Sequence, residues 1–232
     1  MISFFQISPY ILEIAWRAEI SGEILAKIIA FKKLIKEKYS HQLKDSVSGY
    51  HTLTLLYHSP INKKVVCSEL QSLYKNIDTQ KPPTGTLWKI PVCYNGRDLE
   101  KFTNSIGLST EELISLHTGN EYIIHFYGFI PGFLYLGGLN PRLHHPRKDN
   151  PERLVPAGSV AIGGKQTGIY PFESPGGWHI LGSCPVKMFD PNDEPTIWAN
   201  EGDRIRFYRV EQQDFDNMKL QGNGLIKDST YG

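Results

Sequence analysis

Residues Gly128–Trp178 read GFIPGFLYLGGLNPRLHHPRKDNPERLVPAGSVAIGGKQTGIYPFESPGGW. These 51 residues contain 10 of the 21 glycines and 7 of the 15 prolines of the 232-residue chain. They also contain many aromatic and branched side chains, whose burial offsets ordering entropy and which disordered Gly/Pro tracts lack. We therefore predict loops and tight turns anchored to a core. Such loops on a rigid scaffold are where binding surfaces usually lie.

The composition is that of a soluble globular protein with one large or two modest domains. The formal net charge is +1 and the pI is about 7.7, which excludes the strong basic excess typical of partners of nucleic acid or of anionic membranes. The three cysteines are widely spaced and form no C-x-x-C pair, which indicates reduced, mostly buried thiols in a cytoplasmic protein. The N-terminus lacks the features of a secretory signal, and the sequence contains no apolar segment of membrane-spanning length.

The N-terminal third predicts a small α+β domain at residues 1–82. We expect a strand at residues 7–16, a helix that begins at Ser21, a strand at residues 46–59, and a second helix with apolar residues at helical spacing. Those apolar positions are Val66, Leu70, Leu73 and Ile77. This order of elements is typical of a ferredoxin-like sandwich, with Gly49 as a candidate bulge or a point of close backbone approach. The polar segment at residues 78–86 predicts the domain boundary.

The remainder predicts a mainly β domain at residues 87–212, either a barrel or a sandwich. Its expected elements are a strand TLWKIPVCY, helical turns with a capping box from Ser109 to Glu112, and a strand at Tyr122–Tyr127. Ile205 and Phe207 alternate with arginines, as in a half-exposed strand. Residues 213–232 are polar and predict a loosely held tail.

The segment Gly158…Gly164-Lys165 resembles a phosphate-binding loop, but its spacing and residue types do not fit one. The spacing is one residue too long, and Gln166 occupies the position where Ser or Thr holds magnesium. Paired glycines supply the positive φ of tight hairpins, so we predict a turn between residues 160–162 and 166–170.

Two features of the loop at residues 142–153 have alternative interpretations. The adjacent His144 and His145 resemble metal ligands, but no third ligand follows at suitable spacing, which favours solvent-exposed loop histidines. Arg147, like Arg142 and Arg153, lies in a proline-rich loop that suits a carboxylate or phosphate ligand, or else a salt bridge to Asp149 or Glu152.

The hydroxyl of Ser159 predicts either a turn contact to the backbone or a contact to substrate. The turn Ser174-Pro175-Gly176-Gly177-Trp178 predicts either an anion-binding nest of backbone amides or space for Trp178 to enter the core.

Several long motifs in order resemble the KipI/PxpB family, that is, the B subunits of 5-oxoprolinase and their allophanate hydrolase subunit 1-like relatives. The motifs are GFIPGFLYLGGL at 128–139, PR at 146–147, VPAGSVAI at 155–162, QTGIYP at 166–171 and SPGGW at 174–178. The similarity covers residues 88–210. Over the first 80 residues, only the order of the secondary-structure elements matches the family.

The resemblance implies a ferredoxin-like domain followed by a cyclophilin-like β-barrel. It implies a subunit that is not catalytically autonomous, with KipA/PxpC-type and PxpA-type partners, in a complex that uses ATP with magnesium to open 5-oxo-L-proline to L-glutamate. No cofactor is expected to bind tightly to this chain itself. KipI-type relatives inhibit a sensor histidine kinase, and this binding function is the alternative.

The resemblance also implies that this chain supplies one wall of the active cleft. The implied polar groups are Arg147, Ser159, Gln166, Tyr170 and Ser174. The implied wall residues are His117, Tyr122 and Phe129. One position departs from the family pattern, because Glu152 follows Pro151 where arginine is usual, which leaves the equivalence of Arg153 open.

Overall fold

The computed structural model describes residues 2–77, 85–222 and 225–228. The chain divides into two compact units, Met1–Thr84 and Gly85–Gly232. Most of the predicted boundary segment, residues 78–84, lies outside the described residues. Across the described ranges, no helix combines the length and apolar character needed to span a bilayer.

The first unit contains one four-stranded antiparallel sheet and two helices. Its elements are β1 (Ser3–Ser8), β2 (Ile11–Ala15), α1 (Gly22–Tyr39), β3 (Leu43–Ser48), β4 (Thr52–Tyr57) and α2 (Lys63–Tyr74). The strand order is β1-β2-β4-β3. Side chains of β2 and β4, such as Leu12 and Leu53, alternate into a core that α1 and α2 cover with Phe31 and Leu70.

Two expected strands are antiparallel hairpins instead. Residues 7–16 do not form one strand, because a turn at Pro9-Tyr10 reverses the chain and pairs β1 with β2. Similarly, residues 46–59 contain a turn in which the Gly49 amide donates to the Thr52 carbonyl at 2.8 Å, so β3 pairs with β4. Gly49 is therefore a turn residue and not a strand bulge.

The second unit is mainly β. Its elements are β5 (Leu87–Val92), α3 (Leu99–Ile106), α4 (Thr110–Thr118), β6 (Tyr122–Tyr127), β7 (Leu134–Gly137), a 3-10 turn (Pro141–Leu143), β8 (Glu152–Val155), β9 (Ser159–Gly163), β10 (Gln166–Ile169), β11 (Ser174–Gly176), β12 (His179–Ser183), β13 (Arg204–Arg209), α5 (Gln212–Gln221) and β14 (Ile226–Asp228). The predicted capping box at Ser109 and the strand at residues 122–127 are confirmed.

Strands of two sheets in this unit contribute to its largest apolar core. The largest sheet has the order β14-β5-β13-β6-β7, and a second sheet has the order β10-β9-β12. Cys93, just after β5, and Ser183 of β12 exchange two backbone hydrogen bonds of 2.9 and 2.8 Å, which joins the two sheets at one side. The enclosed core is apolar, and the alternation predicted for β13 is confirmed because Ile205 and Phe207 are buried within it.

The expectation of a loosely held tail at residues 213–232 is wrong for most of that segment. Helix α5 forms at residues 212–221 and buries Phe215 beside Cys93 and Val210. Strand β14 then pairs antiparallel with β5. The sequence pattern is polar because α5 contacts the core mainly through this one aromatic side chain. Residues 223–224 and 229–232 lie outside the described residues.

A buried carboxylate connects the starts of β5 and β13. Asp203 is almost completely buried, and its Oδ1 accepts a hydrogen bond from the Thr86 amide at 2.8 Å. Its Oδ2 accepts from the Trp88 indole and from the Asn200 amide, both at 2.9 Å. A buried charge requires this kind of complete hydrogen bonding. Asp203 therefore aligns the central parallel strand pair.

Asp203→Asn should lower the free energy of unfolding by about 2–4 kcal/mol, because an amide NH2 cannot accept the hydrogen bonds that a carboxylate oxygen receives from buried donors. Urea unfolding followed by circular dichroism measures this difference. Asp193→Asn, at an exposed loop position, is the matched control and should change stability by less than about 0.5 kcal/mol. Equal stabilities of the two variants would contradict the role of Asp203.

Candidate functional site

The glycine pair at residues 163–164 forms the predicted hairpin. Strands β9 and β10 pair in register from Gly163 with Gln166 to Val160 with Ile169, and Gly164 has a φ of 67°. A hairpin does not open a helix, so this segment is not a phosphate-binding loop. The indole of Trp178 packs on the hairpin so closely that a Cβ at Gly163 would lie 2.4 Å from the ring.

Trp178 also lines an aromatic pocket. Its cavity volume is about 380 Å³, which is within the range of small-molecule sites. The rings of Phe133, Tyr170 and Trp178 meet edge to face there. The full lining is Phe129, Ile130, Phe133, Tyr135, Arg147, Pro151, Tyr170, Ser174, Pro175, Gly176, Gly177 and Trp178. We refer to this cavity below as the aromatic pocket.

Arg147 supplies the positive charge of the aromatic pocket. Its guanidinium carbon lies 5.6 Å from the centre of the Trp178 ring, and its Nη2 donates to Gln166 Oε1 at 3.4 Å. Within the described part of the chain, Arg147 forms no ion pair, because Glu152 pairs with Arg97 and Lys148 instead. The salt-bridge alternative for Arg147 is therefore wrong. Its guanidinium remains available for an anionic ligand.

Ser174 supplies an unsatisfied hydroxyl in the same pocket. The residue is 8% exposed, and its Oγ has no hydrogen-bond partner among the described residues. A buried hydroxyl without a partner is costly, and such a group at the wall of a cavity suits a ligand. Tyr170 also lines the pocket, and burial raises the pKa of its phenol, so this hydroxyl stays protonated at neutral pH.

The first glycine of the SPGGW motif, Gly176, has a packing role. Ser174–Gly176 is strand β11, which pairs with β8, and a Cβ at Gly176 would lie 2.2 Å from the Tyr170 hydroxyl. Trp178 is 5% exposed and belongs to the core cluster around Phe133. Gly176 therefore gives space to Tyr170, and the burial of Trp178 favours the interpretation in which this turn lets Trp178 enter the core.

The other predicted site residues are only partly brought together. Phe129 lies at the edge of the aromatic pocket, 61% exposed and with a φ of 64°. Gln166 contacts the site through Arg147. Ser159 is buried at the start of β9 and does not line the pocket. The sequence did not identify Tyr135 or Ile130 as wall residues, although both lie in the glycine-rich stretch.

His117 and Tyr122 are core residues, so their assignment to the cleft wall is wrong. His117 is fully buried, with Nδ1 2.7 Å from the Tyr94 hydroxyl and Nε2 2.9 Å from Thr167 Oγ1. Its ring stacks on Phe207 at 4.7 Å. The Tyr122 hydroxyl donates to the His117 carbonyl at 2.8 Å. Both nitrogens of this histidine are already hydrogen-bonded, which leaves none for substrate.

The two remaining loop arginines lie outside the aromatic pocket. Arg142 is exposed, and its Nη2 lies 4.0 Å from Glu112. Arg153 is exposed on β8, whereas Glu152 points into a charged cluster with Lys148 and Arg97. Arg153 therefore does not line the aromatic pocket.

The prediction of solvent-exposed histidines at 144 and 145 is also wrong. Both are partly buried: His144 Nε2 lies 3.1 Å from the Leu139 carbonyl, and His145 contacts His179. Among residues 2–77, 85–222 and 225–228, no set of three His, Cys, Asp or Glu side chains is arranged as a metal site. The expected reduced thiols are confirmed, since Cys93 and Cys184 are buried and Cys67 is partly buried, all free.

Residues 2–199 match the family described as carboxyltransferase domain, subdomain C and D. The chain belongs to this family, and the predicted KipI/PxpB resemblance is confirmed. The 5-oxoprolinase B subunit of Bacillus subtilis (strain 168) is 31% identical over 94% of this chain and 97% of its own length.

Two solved structures show similar folds. The crystal structure of TTHA0988 superposes with a TM-score of 0.75 and 33% identity over 91% of this chain, which spans only 40% of the TTHA0988 chain. The Kluyveromyces lactis urea amidolyase superposes with a TM-score of 0.78 at 14% identity, over 98% of this chain and 16% of its own. The second similarity supports the fold alone, a mixed and mostly β architecture.

The buried histidines make stability depend on pH. Burial lowers the pKa of His117 to about 3 and that of His125 to about 4, from an ordinary value of 6.5. Below about pH 6.5 the unfolded chain therefore binds protons that the folded chain does not, so the free energy of unfolding falls as pH decreases.

His117→Gln should reduce the slope of the free energy of unfolding against pH by about 1.4 kcal/mol per pH unit near pH 5, measured by urea unfolding at several pH values. An unchanged slope would contradict the buried neutral state of His117.

Proposed function

We propose that the chain is the B subunit of an ATP-dependent 5-oxoprolinase complex, which hydrolyses 5-oxo-L-proline to L-glutamate, and that its aromatic pocket forms one wall of the active cleft. The single observation that carries this proposal is the combination, in that pocket, of the Arg147 guanidinium, which has no ion-pair partner among the described residues, with the unsatisfied Ser174 hydroxyl. The similarity to the Bacillus subtilis 5-oxoprolinase component supports the choice of reaction.

The substrate has the chemistry that this pocket would recognise. 5-Oxoproline is a five-membered lactam with one carboxylate, so it presents an apolar ring, one anion and one amide. Arg147 would bind the carboxylate with two parallel hydrogen bonds. Phe133 and Trp178 would contact the ring, and Ser174 Oγ would bond to the amide. This assignment satisfies the orphan hydroxyl of the pocket.

ATP belongs to the complex in this proposal and not to the described residues of this chain. The glycine pair at residues 163–164 forms a hairpin, and the aromatic pocket offers one cation for a ring with a single anion. A triphosphate with magnesium requires several donors and carboxylates. The task of this chain is therefore to bind and orient the lactam, while KipA/PxpC-type and PxpA-type subunits complete the site.

The same proposal places the complex in the cytoplasm, and the three free thiols support a reducing compartment. The alternative, inhibition of a sensor histidine kinase, is not favoured, since the relatives found are oxoprolinase subunits.

We further propose that the first unit is a variant of the ferredoxin-like domain and that the second is a cyclophilin-like barrel, each an independent domain. In the first unit, β2-α1-β3-β4-α2 follows the order of a split βαβ fold, and the sheet order β2-β4-β3 agrees with it. The edge position beside β2, which the last strand of that fold would occupy, is held by β1.

Arg147→Ala should raise the KM for 5-oxoproline by about 10–100-fold in the reconstituted complex, because a charge-assisted hydrogen-bonded pair contributes about 1.5–3 kcal/mol. Ser174→Ala should raise it about 3–10-fold through the loss of one neutral hydrogen bond. Glutamate release and 5-oxoproline-dependent ATP hydrolysis measure both effects.

Arg142→Ala is the matched control, because this arginine lies in the same loop but outside the pocket. Its kinetics should equal those of the unmodified complex. Full 5-oxoproline-dependent ATP hydrolysis by this chain alone, or an unchanged KM in Arg147→Ala, would overturn the proposal.

A further inference from the structure

A second, polar cavity shares Arg147 with the aromatic pocket. It is lined by Asp98, Lys101, His145, Pro146, Arg147, Lys148, Asp149, Asn150, Glu152 and His179. Its three acidic and three basic side chains balance, so the lining carries no net charge when the histidines are neutral. Within the cavity Lys148 is already paired with Asp98 and Glu152. The two histidines of this cavity, His145 and His179, are not part of these ion pairs.

Three atoms of the types that ligate metals lie close together there, namely two imidazole nitrogens and one carbonyl oxygen. His145 Nδ1 lies 3.2 Å from His179 Nε2, and the Pro146 carbonyl oxygen lies 3.0 Å from the first nitrogen and 2.9 Å from the second. Two backbone contacts support this geometry: His145 bridges to Gly164, and His179 pairs with Ile162. Phe102 packs against both imidazole rings, with ring centres 5.3 and 5.2 Å apart.

The Ser105 hydroxyl lies close to one nitrogen of His145. Its Oγ is 2.7 Å from the Phe102 carbonyl and 3.2 Å from His145 Nε2. When this hydroxyl donates to the carbonyl, it accepts from His145 Nε2, which then carries the proton of the neutral ring. In the neutral ring Nδ1 is therefore a bare lone pair. It faces a carbonyl oxygen, which is also an acceptor. With that tautomer, at most one hydrogen, from His179 Nε2, lies among the three atoms, and the remaining lone pairs are open to a ligand or to water in the cavity.

We propose that His145 Nδ1, His179 Nε2 and the Pro146 carbonyl bind a divalent transition-metal ion such as Zn²⁺. For metal–ligand distances of about 2.0–2.1 Å and ligand angles of about 90–109°, donor atoms lie about 2.8–3.4 Å apart, and all three observed separations fall in that range.

Imidazole suits zinc, copper and nickel better than magnesium or calcium, and the cavity gives water access to the remaining positions. Burial lowers the pKa of His179, which keeps its ring in the neutral form that a metal requires. The contact of Ser105 with His145 is the hydrogen bond that commonly orients a ligating histidine. A bound ion would cross-link the loop before β8 to the start of β12.

The test is titration of the full chain with Zn²⁺ in competition with a chromogenic chelator at neutral pH, together with the visible spectrum of bound Co²⁺. One equivalent of Zn²⁺ should bind and should raise the thermal unfolding midpoint. His145→Ala and His179→Ala should weaken binding by at least about tenfold, and Ser105→Ala by about tenfold. His144→Ala, which removes the adjacent histidine, should bind as the unmodified chain does.

NMR of the unmodified chain keeps the proposal falsifiable if a variant fails to fold. Zn²⁺ should shift the imidazole Cε1–H signals of His145 and His179 and leave those of His117 unchanged. Equal weakening in His144→Ala and His145→Ala would indicate adventitious binding only and would overturn the proposal. If Zn²⁺ leaves the signals of His145 and His179 unchanged, the proposal is overturned. A proton shared between the two imidazoles would then explain their contact.

Discussion

The contact between the Trp178 indole and Gly163 is the constraint on which the candidate site depends. A Cβ at Gly163 would lie 2.4 Å from the ring, so the indole can lie flat on the β9–β10 hairpin only because that side chain is absent. Loss of a buried Trp side chain typically costs about 3–5 kcal/mol. The indole in turn supports the edges of Phe133 and Tyr170 and the guanidinium of Arg147. The aromatic pocket therefore depends on this packed ring, which also contacts Arg147, a residue that lines both cavities.

Arg147 is the common wall of the two cavities, and their chemistries are different. On one side it joins aromatic rings and the unsatisfied Ser174 hydroxyl. On the other side lie the paired charges of Lys148 and Asp98 and the two histidines. This arrangement connects the proposed lactam site to the proposed metal site through a single side chain.

His117 and Asp203, two buried titratable residues of the second unit, have structural roles. His117 is enclosed by Tyr94, Thr167, Tyr122 and Phe207, with hydrogen bonds to both ring nitrogens. Asp203 is satisfied by three donors. Buried polar groups of this kind specify how strands align, because any other register leaves them unpaired. The hydrogen-bonding groups of His117 and Asp203 are occupied within the protein. Arg147 and Ser174 differ because they keep unused hydrogen-bonding capacity for a ligand.

The sequence by itself determined the features that local chemistry encodes. Paired glycines at 163–164 require a hairpin, Ser109 and Glu112 form a capping box, and the alternation around Ile205 sets one face of a strand. It misjudged the turn at Pro9-Tyr10, because β-forming residues continue on both sides of it. The motifs also predicted Arg147, Ser174, Tyr170 and Phe129, which line the aromatic pocket.

Only the tertiary structure decided which of these residues meet. His145 and His179 are 34 positions apart, and their contact follows from the pairing of β9 with β12 and from the bridge to Gly164. The same holds for the burial of His117 and for the distance of Ser159 from the pocket. Periodicity shows which face of a strand is apolar, but not which strand lies beside it, because pairing partners are selected by packing of the whole core.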